Sequence, residues 1–144
     1  MLIKITLDLV ENMHFVGKDS NGFETHFDSN KGEQGASGLE MAPTPQHIVL
    51  QALAACSAMD IAGILRKRRK TITAFTVNIE GEKPDVHPPV FTDAKIHYIL
   101  TSPDAEEADL TKAIDLSQST YCGISEMFKR SRCNVTWDWQ IIRP

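Results

Sequence analysis

Gln46-His47-Ile48-Val49-Leu50-Gln51-Ala52-Leu53-Ala54-Ala55-Cys56-Ser57-Ala58-Met59-Asp60 is the stretch that decides the fold. Thr44 precedes it as a candidate N-cap, and Pro45 suits a first helical position, where a missing N–H costs nothing. The apolar run continues to Leu65 and closes on Arg66-Lys67-Arg68-Arg69-Lys70. This pattern predicts one helix from Pro45 to about Lys70, roughly 39 Å long at ~1.5 Å per residue. It is apolar on most faces, so it must be packed on more than one side. Its length would suit a membrane span. Gln51 and Asp60 argue against that, because an Asp near the centre of a span costs about 2.5–3.5 kcal/mol on insertion scales. The run reads as a buried core helix, with no membrane partner.

Outward from that helix the period changes. Ile3, Ile5, Leu7 and Leu9 alternate with Lys4, Thr6 and Asp8, which is a strand period and not the apolar block of a signal peptide. Asn12 marks one turn. Asn21-Gly22 marks another, between Phe15-Val16 and Phe23 to Phe27. Residues 29–42 carry Gly32, Gly35 and Gly38 with Ser29, Asn30 and Ser37, a loop composition. After the helix, residues 71–82 and 90–100 read as strands joined by a Pro-rich connection. Ser102-Pro103 starts a second helix, with Leu110, Ala113, Ile114 and Ser117 as its buried stripe. A break near Tyr121-Cys122-Gly123 precedes a short helix over residues 124–129, and a strand over residues 133–142 closes the chain. Strands, long helix, strands, helices, strand: this order predicts one α+β domain over residues 1–144, in two layers.

Bulk composition narrows the function classes. The 144 residues suffice for one domain with a real core. The formal charge of −4 supplies no field to draw nucleic acid or anionic lipid. Arg66 to Lys70 read as a solvated helix C-terminus that complements the dipole, so no nucleic-acid partner is expected. The three cysteines do not make a disulfide scaffold and fit a reducing cytoplasm, where a thiol pair is more often catalytic than structural. The five histidines and the cysteines form no metal-ligand spacing, so neither a metal nor a cofactor is expected. His87, beside Pro88, reads as part of a turn. Trp137 and Trp139 share one face of the last strand.

Cys56 and Cys122 carry the candidate chemistry. Two thiols can hold two electrons between them without a cofactor. A thiolate attacks an O–O bond, a sulfenic acid forms, and the second thiol displaces water to give a disulfide; a dithiol partner resets the pair. This requires Cα atoms within about 4.4–6.8 Å. Cys122, placed in the first turn of a helix capped by Ser119 or Thr120, would be the more acidic thiol on dipole grounds. Small neighbours at Ala54, Ala55, Ser57 and Ala58 let another segment approach Cys56. Either cysteine alone also reads as a small core hydrophobe. Cys133, before a strand and outside any helix start, reads as structural or as a semi-exposed bystander.

Three stretches carry a family resemblance. They are Pro45 to Leu65 centred on Ala54-Ala55-Cys56-Ser57-Ala58-Met59-Asp60, then His87-Pro88-Pro89-Val90-Phe91, then Leu116-Ser117 with Thr120-Tyr121-Cys122. Together they resemble the OsmC/Ohr family, the osmotically inducible and organic-hydroperoxide-resistance proteins. The resemblance implies an α+β, two-layer OsmC-like fold whose long central helix packs on antiparallel sheets, in an intertwined homodimer with active sites at the subunit interface. It implies a cysteine-based peroxidase for organic hydroperoxides, acting in oxidative stress defence, with Cys56 attacking and Cys122 resolving. Peroxidase members activate the first cysteine with an Arg from an early strand or turn and a Glu near the start of the long helix. Here the helix starts Pro45-Gln46-His47, with no carboxylate. Lys18 is the nearest basic match, and Glu40 lies upstream, so Lys18, Glu40 and Gln46 are the candidate supporting polar residues. The alternative is a non-enzymatic small-molecule-binding or redox-responsive protein of the same fold, with an apolar ligand.

Overall fold

A computed structural model describes residues 1–33 and 37–144; Gly35 of the expected loop lies outside them. Among the described residues there are three α-helices and two three-stranded sheets. The chain separates into two compact units, Met1–Val49 and Leu50–Pro144.

The first unit is an antiparallel meander of β1 (Ile5–Glu11), β2 (His14–Asp19) and β3 (Glu24–Phe27). Both expected turns form. Asn12 takes φ 47° between β1 and β2, where the register also shifts at a bulge. Gly22 takes φ 85°, a left-handed conformation that Gly adopts without steric cost, while Asp19 Oδ1 accepts the N–H groups of Asn21 and Phe23 at 2.8 and 3.0 Å. β1 is exposed along its whole length, so its alternating apolar residues face solvent in the single chain.

The long helix α1 spans Pro45–Lys67. Thr44 Oγ1 accepts the N–H of His47 at 3.4 Å, a long bond that fits the expected cap. The helix stops three residues before Lys70; Arg69 follows at φ 59°. Leu53, Ser57, Ile61 and Leu65 recur every four residues as its buried stripe. By length and composition α1 could cross a membrane, and 28% of its apolar window is buried in the chain.

In the second unit, β4 (Ala74–Glu82), β5 (Asp93–Thr101) and β6 (Asn134–Ile142) form a sheet with β5 in the middle. β4 pairs antiparallel with β5, but β6 runs parallel to β5, so this sheet is mixed where antiparallel pairing was expected. The reason is topological. Parallel neighbours need a long crossover, and the helical segment between β5 and β6 supplies it. That segment comprises α2 (Glu107–Leu116), a π-helical turn (Ser117–Tyr121) and α3 (Gly123–Arg130).

Ser102 does not start α2. Its Oγ accepts the N–H of Ala105 at 3.0 Å and so caps a preceding turn. The helix begins later with a capping box, in which Glu106 and Asp109 each satisfy the other's backbone. Asp109 also draws Arg68 and Lys70 to 3.4 Å each, so part of the basic run is ion-paired rather than merely solvated. The core joins Leu53, Ile61 and Leu65 of α1 to Ile96, Tyr98 and Leu100 of β5 and to Leu110 and Ile114 of α2. Trp137 and Trp139 pack against it from β6, half-buried.

Candidate active site: a thiol pair on a buried polar network

Cys56 lies mid-helix on α1, one position before Ser57 of the buried stripe. Asp60 is one turn further on, at i+4, where helix geometry places two side chains on one face. Cys122 comes from the other side of the sequence and is itself the N-cap of α3. Its backbone is extended, at φ −78° and ψ 95°, and its Sγ accepts the N–H of Ser125 at 3.3 Å. Ser119 and Thr120, expected to cap this helix, lie instead within the π-helical turn. The two Sγ atoms and a carboxylate oxygen of Asp60 lie within 4.8 Å of one another. Both cysteines are free thiols, Cys56 half-buried and Cys122 buried.

The helix start alone would make Cys122 an acidic thiol, but burial opposes it. Desolvation pushes the Cys122 thiol up to about 11; the Ser125 N–H works against the rise, while neighbouring Cys56 and Asp60 add to it. Removing a thiolate from water outweighs one N–H at a helix start. Cys122 is therefore a neutral thiol at physiological pH.

Around the pair runs a polar network that sequence reading missed. Tyr98 Oη of β5 lies 2.5 Å from Ser57 Oγ. Ser117 Oγ lies 3.1 Å from Ser57 Oγ and 2.9 Å from Asp60 Oδ2. Gln118 Nε2 donates to Tyr98 Oη at 3.0 Å and to Ser57 Oγ at 3.3 Å, and its Oε1 accepts from Ser125 Oγ at 2.5 Å. Tyr98, Ser57, Ser117 and Ser125 are fully buried. Burial raises the Tyr98 phenol above its ordinary range, although the bonds from Ser57 and Gln118 oppose the rise. The available signal was the set of small polar residues inside otherwise apolar helical stripes, with Asp60 four residues from Cys56.

Among the described residues, Cys56, Asp60 and Cys122 are the group whose donor atoms come close enough to share a cation. No spacing motif announces it, because the three come from distant segments. A cation would need both thiols deprotonated, and burial opposes this at Cys122.

The supporting residues expected from the resemblance fall in the first unit, whereas both thiols fall in the second. Lys18 is 3.4 Å from Glu24. Glu40 sits at φ 54° and donates its N–H to the Ser29 carbonyl at 3.2 Å. Gln46 occupies the first turn of α1.

An open cleft of about 600 Å³ borders the site, lined by Met59, Ile64 and Leu116 beside Asp60, with Lys67 and Lys112 also on its walls.

The family model described as OsmC-like protein matches residues 35–138. Protein YhfA of Escherichia coli (strain K12) is 31% identical over 133 residues, which cover 92% of this chain and 93% of that protein. The crystal structure of a hypothetical protein from Aquifex aeolicus VF5 superposes with a TM-score of 0.85 at 25% identity, covering 100% of this chain and 98% of that one. An organic hydroperoxide resistance protein OsmC from Legionella pneumophila gives a TM-score of 0.63 at 11% identity, over 98% of this chain and 96% of that one, a likeness of fold alone. Both the site-bearing helix and the N-cap cysteine fall within the matched span, and the chain belongs to the OsmC-like protein family.

Proposed function

We propose that this protein is a thiol-dependent peroxidase that reduces organic hydroperoxides, with Cys56 as the attacking and Cys122 as the resolving cysteine. The observation that carries the reading is the meeting of two free thiols, one half-buried and one buried, with their sulfurs within 4.8 Å of each other. The half-buried thiol is the one an incoming hydroperoxide reaches first. The Cys56 thiolate attacks the terminal oxygen of ROOH, the O–O bond breaks, and ROH leaves after taking a proton. Cys122 then attacks the sulfur of the Cys56 sulfenic acid, the S–O bond breaks, and water leaves as the disulfide forms. A dithiol returns two electrons and two protons. The cleft beside Asp60, apolar at Met59, Ile64 and Leu116, suits a substrate with an apolar body.

Lys18, Glu40 and Gln46 are the residues of the first unit proposed to supply polarity around the thiolate. A homodimer in the cytoplasm completes the reading. The apolar residues exposed on β1 and α1, among them Ile5, Leu7, Leu9, Val49 and Met59, support a second copy as cover.

The test is turnover. Reduced protein is mixed with cumene hydroperoxide and a dithiol, and peroxide loss is followed. Loss at least 100-fold faster than with Cys56→Ser, on the scale of about 10²–10⁴ for chemical catalysis by positioned groups, is the expected result. Equal rates would leave the second reading, a non-enzymatic binding protein that uses the same cleft and thiols as a redox-responsive site.

A further inference from the structure

Four buried or half-buried oxygens stand in file beside the thiol pair: Tyr98 Oη, Ser57 Oγ, Ser117 Oγ and Asp60 Oδ2, separated by 2.5, 3.1 and 2.9 Å. A carboxylate only accepts, so Ser117 Oγ donates to Asp60 Oδ2. Ser117 Oγ also faces Ser57 Oγ as donor, and Ser57 and Tyr98 share one proton across the contact between them. Gln118 closes the remaining sites by donating to Tyr98 and Ser57 while its carbonyl accepts from Ser125. The file ends on the Asp60 carboxylate, one oxygen of which lies within 4.8 Å of both sulfurs.

We propose that Asp60 is the proton carrier of the thiol pair, taking the proton of Cys122 as its sulfur attacks Cys56, with Ser117, Ser57 and Tyr98 as the positioning residues that hold the carboxylate. The role deepens the peroxidase reading and rests on it for the identity of the leaving group. During resolution the Cys122 S–H bond breaks and its proton passes to Asp60. The Cys122–Cys56 S–S bond forms as the S–O bond of the sulfenic acid breaks. Asp60 then hands its proton to the departing hydroxide, giving water. The step needs such a carrier because buried Cys122 stays a thiol until it reacts. The ionisable groups around it are Cys56 and Asp60 from α1 and Tyr98 from β5, while Lys129 of α3 is bound to the Gln118 carbonyl at 2.6 Å. Of these, Asp60 is the carboxylate.

The test separates this role from peroxidase activity. Reduced protein is loaded at Cys56 as a mixed disulfide with the aryl thiol of dithiobis-nitrobenzoate, using Cys122→Ser to confirm the loaded position. Release of the aryl thiolate by Cys122 is then followed by its colour. Here Cys122 forms the same disulfide and gives up the same proton, and no hydroperoxide is involved. In Asp60→Asn, release slows on the order of 10²-fold, as for loss of a positioned base. It also climbs about tenfold per pH unit between about pH 6 and 8, because attack then waits for a preformed thiolate. The wild-type rate climbs less steeply, Asp60→Glu recovers part of it, and Ser117→Ala falls between. A carboxylate that acts only as a nearby charge gives the opposite sign. Its removal eases ionisation of Cys122 and speeds release. Release in Asp60→Asn as fast as or faster than wild type overturns the proposal, and should that variant not fold, wild-type release in Ser117→Ala does the same. Wild-type release without hydroperoxide turnover would instead overturn the peroxidase reading and leave the proton role standing.

Discussion

Cys122 Sγ accepts the backbone N–H of Ser125 at 3.3 Å, so the resolving-cysteine candidate is also the cap of α3. The two roles separate by substitution. Cys122→Ser keeps an acceptor and a good capping residue, whereas Cys122→Ala leaves the N–H bare. Loss of a cap costs about 1 kcal/mol, which in a chain of this size lowers Tm by about 2–4 °C. We expect that drop for Cys122→Ala and little change for Cys122→Ser by calorimetry. Both variants should fail to form the intramolecular disulfide, read by mass spectrometry after oxidation.

Tyr98→Phe tests the buried network for stability. The ring stays and the hydroxyl goes, leaving Gln118 Nε2 with one fewer acceptor and Ser57 Oγ without its partner at 2.5 Å. Stranding buried polar groups costs about 1–3 kcal/mol. Urea unfolding should show a lower midpoint with an unchanged slope. A midpoint equal to wild type would mean that the phenol contributes nothing net.

Stability should fall at both ends of the pH scale, for different groups. Asp104 accepts the N–H and hydroxyl of Thr71 at 2.8 and 3.0 Å, and these bonds hold its carboxyl below the usual value of 3.8. Asp109 is likewise lowered, first by the backbone N–H of Glu106 and then by Lys70 and Arg68. A depressed folded pKa gives a contribution present above the unfolded value and lost as pH falls through the folded one. Asp104→Asn and Asp109→Asn should therefore flatten the acid limb of Tm below about pH 4. Cys122 has the reverse sign. Its thiol is raised from 9.0 to about 11, so its contribution is present below pH 9 and disappears as pH rises toward 11. Cys122→Ser should flatten part of the alkaline limb, the rest belonging to Tyr98, which is also raised.

Sedimentation equilibrium checks the proposed dimer. The mass should be twice 16.0 kDa. Leu7→Asp, on exposed β1, should shift the equilibrium toward monomer, because an unpaired charge in an apolar contact is costly. An unchanged dimer would remove that strand from the interface.

Much of this was legible in the chain because it follows from periodicity. Ile48 to Leu65 announced α1, Asn21-Gly22 announced its turn, and the alternation of Ile5, Leu7 and Leu9 announced β1. Cys56 and Cys122 were legible as a pair, and the structure brings them together. The polar network was not. Ser57 read as a small neighbour that lets another segment approach Cys56, Ser117 as part of a buried stripe, and Asp60 as an argument against a membrane span and the end of a stretch that carries the resemblance. Nothing in one-dimensional spacing says that residues from α1, β5 and the π-helical turn will share protons. The parallel pairing of β6 was also invisible, since a strand's direction depends on the path between strands and not on its own residues. α2 was started too early because Ser102 does cap something, a turn rather than the helix.

The π-helical turn carries one more implication, about sequence length rather than residue identity. Cys122 donates its N–H to the Ser117 carbonyl, five residues back, at 2.8 Å. Delete one of Ser119, Thr120 or Tyr121 and that closure becomes an ordinary helical one. The chain beyond would then rotate by about 100° relative to Ser117, the angle per residue of an α-helix. Ser117 would still face Asp60, but Cys122 would leave its place beside Cys56. Variants that keep the thiol pair and its polar network yet shorten this turn by one residue should thus lose the pairing of the thiols. The number of residues between Ser117 and Cys122 is as much a part of the site as the residues themselves.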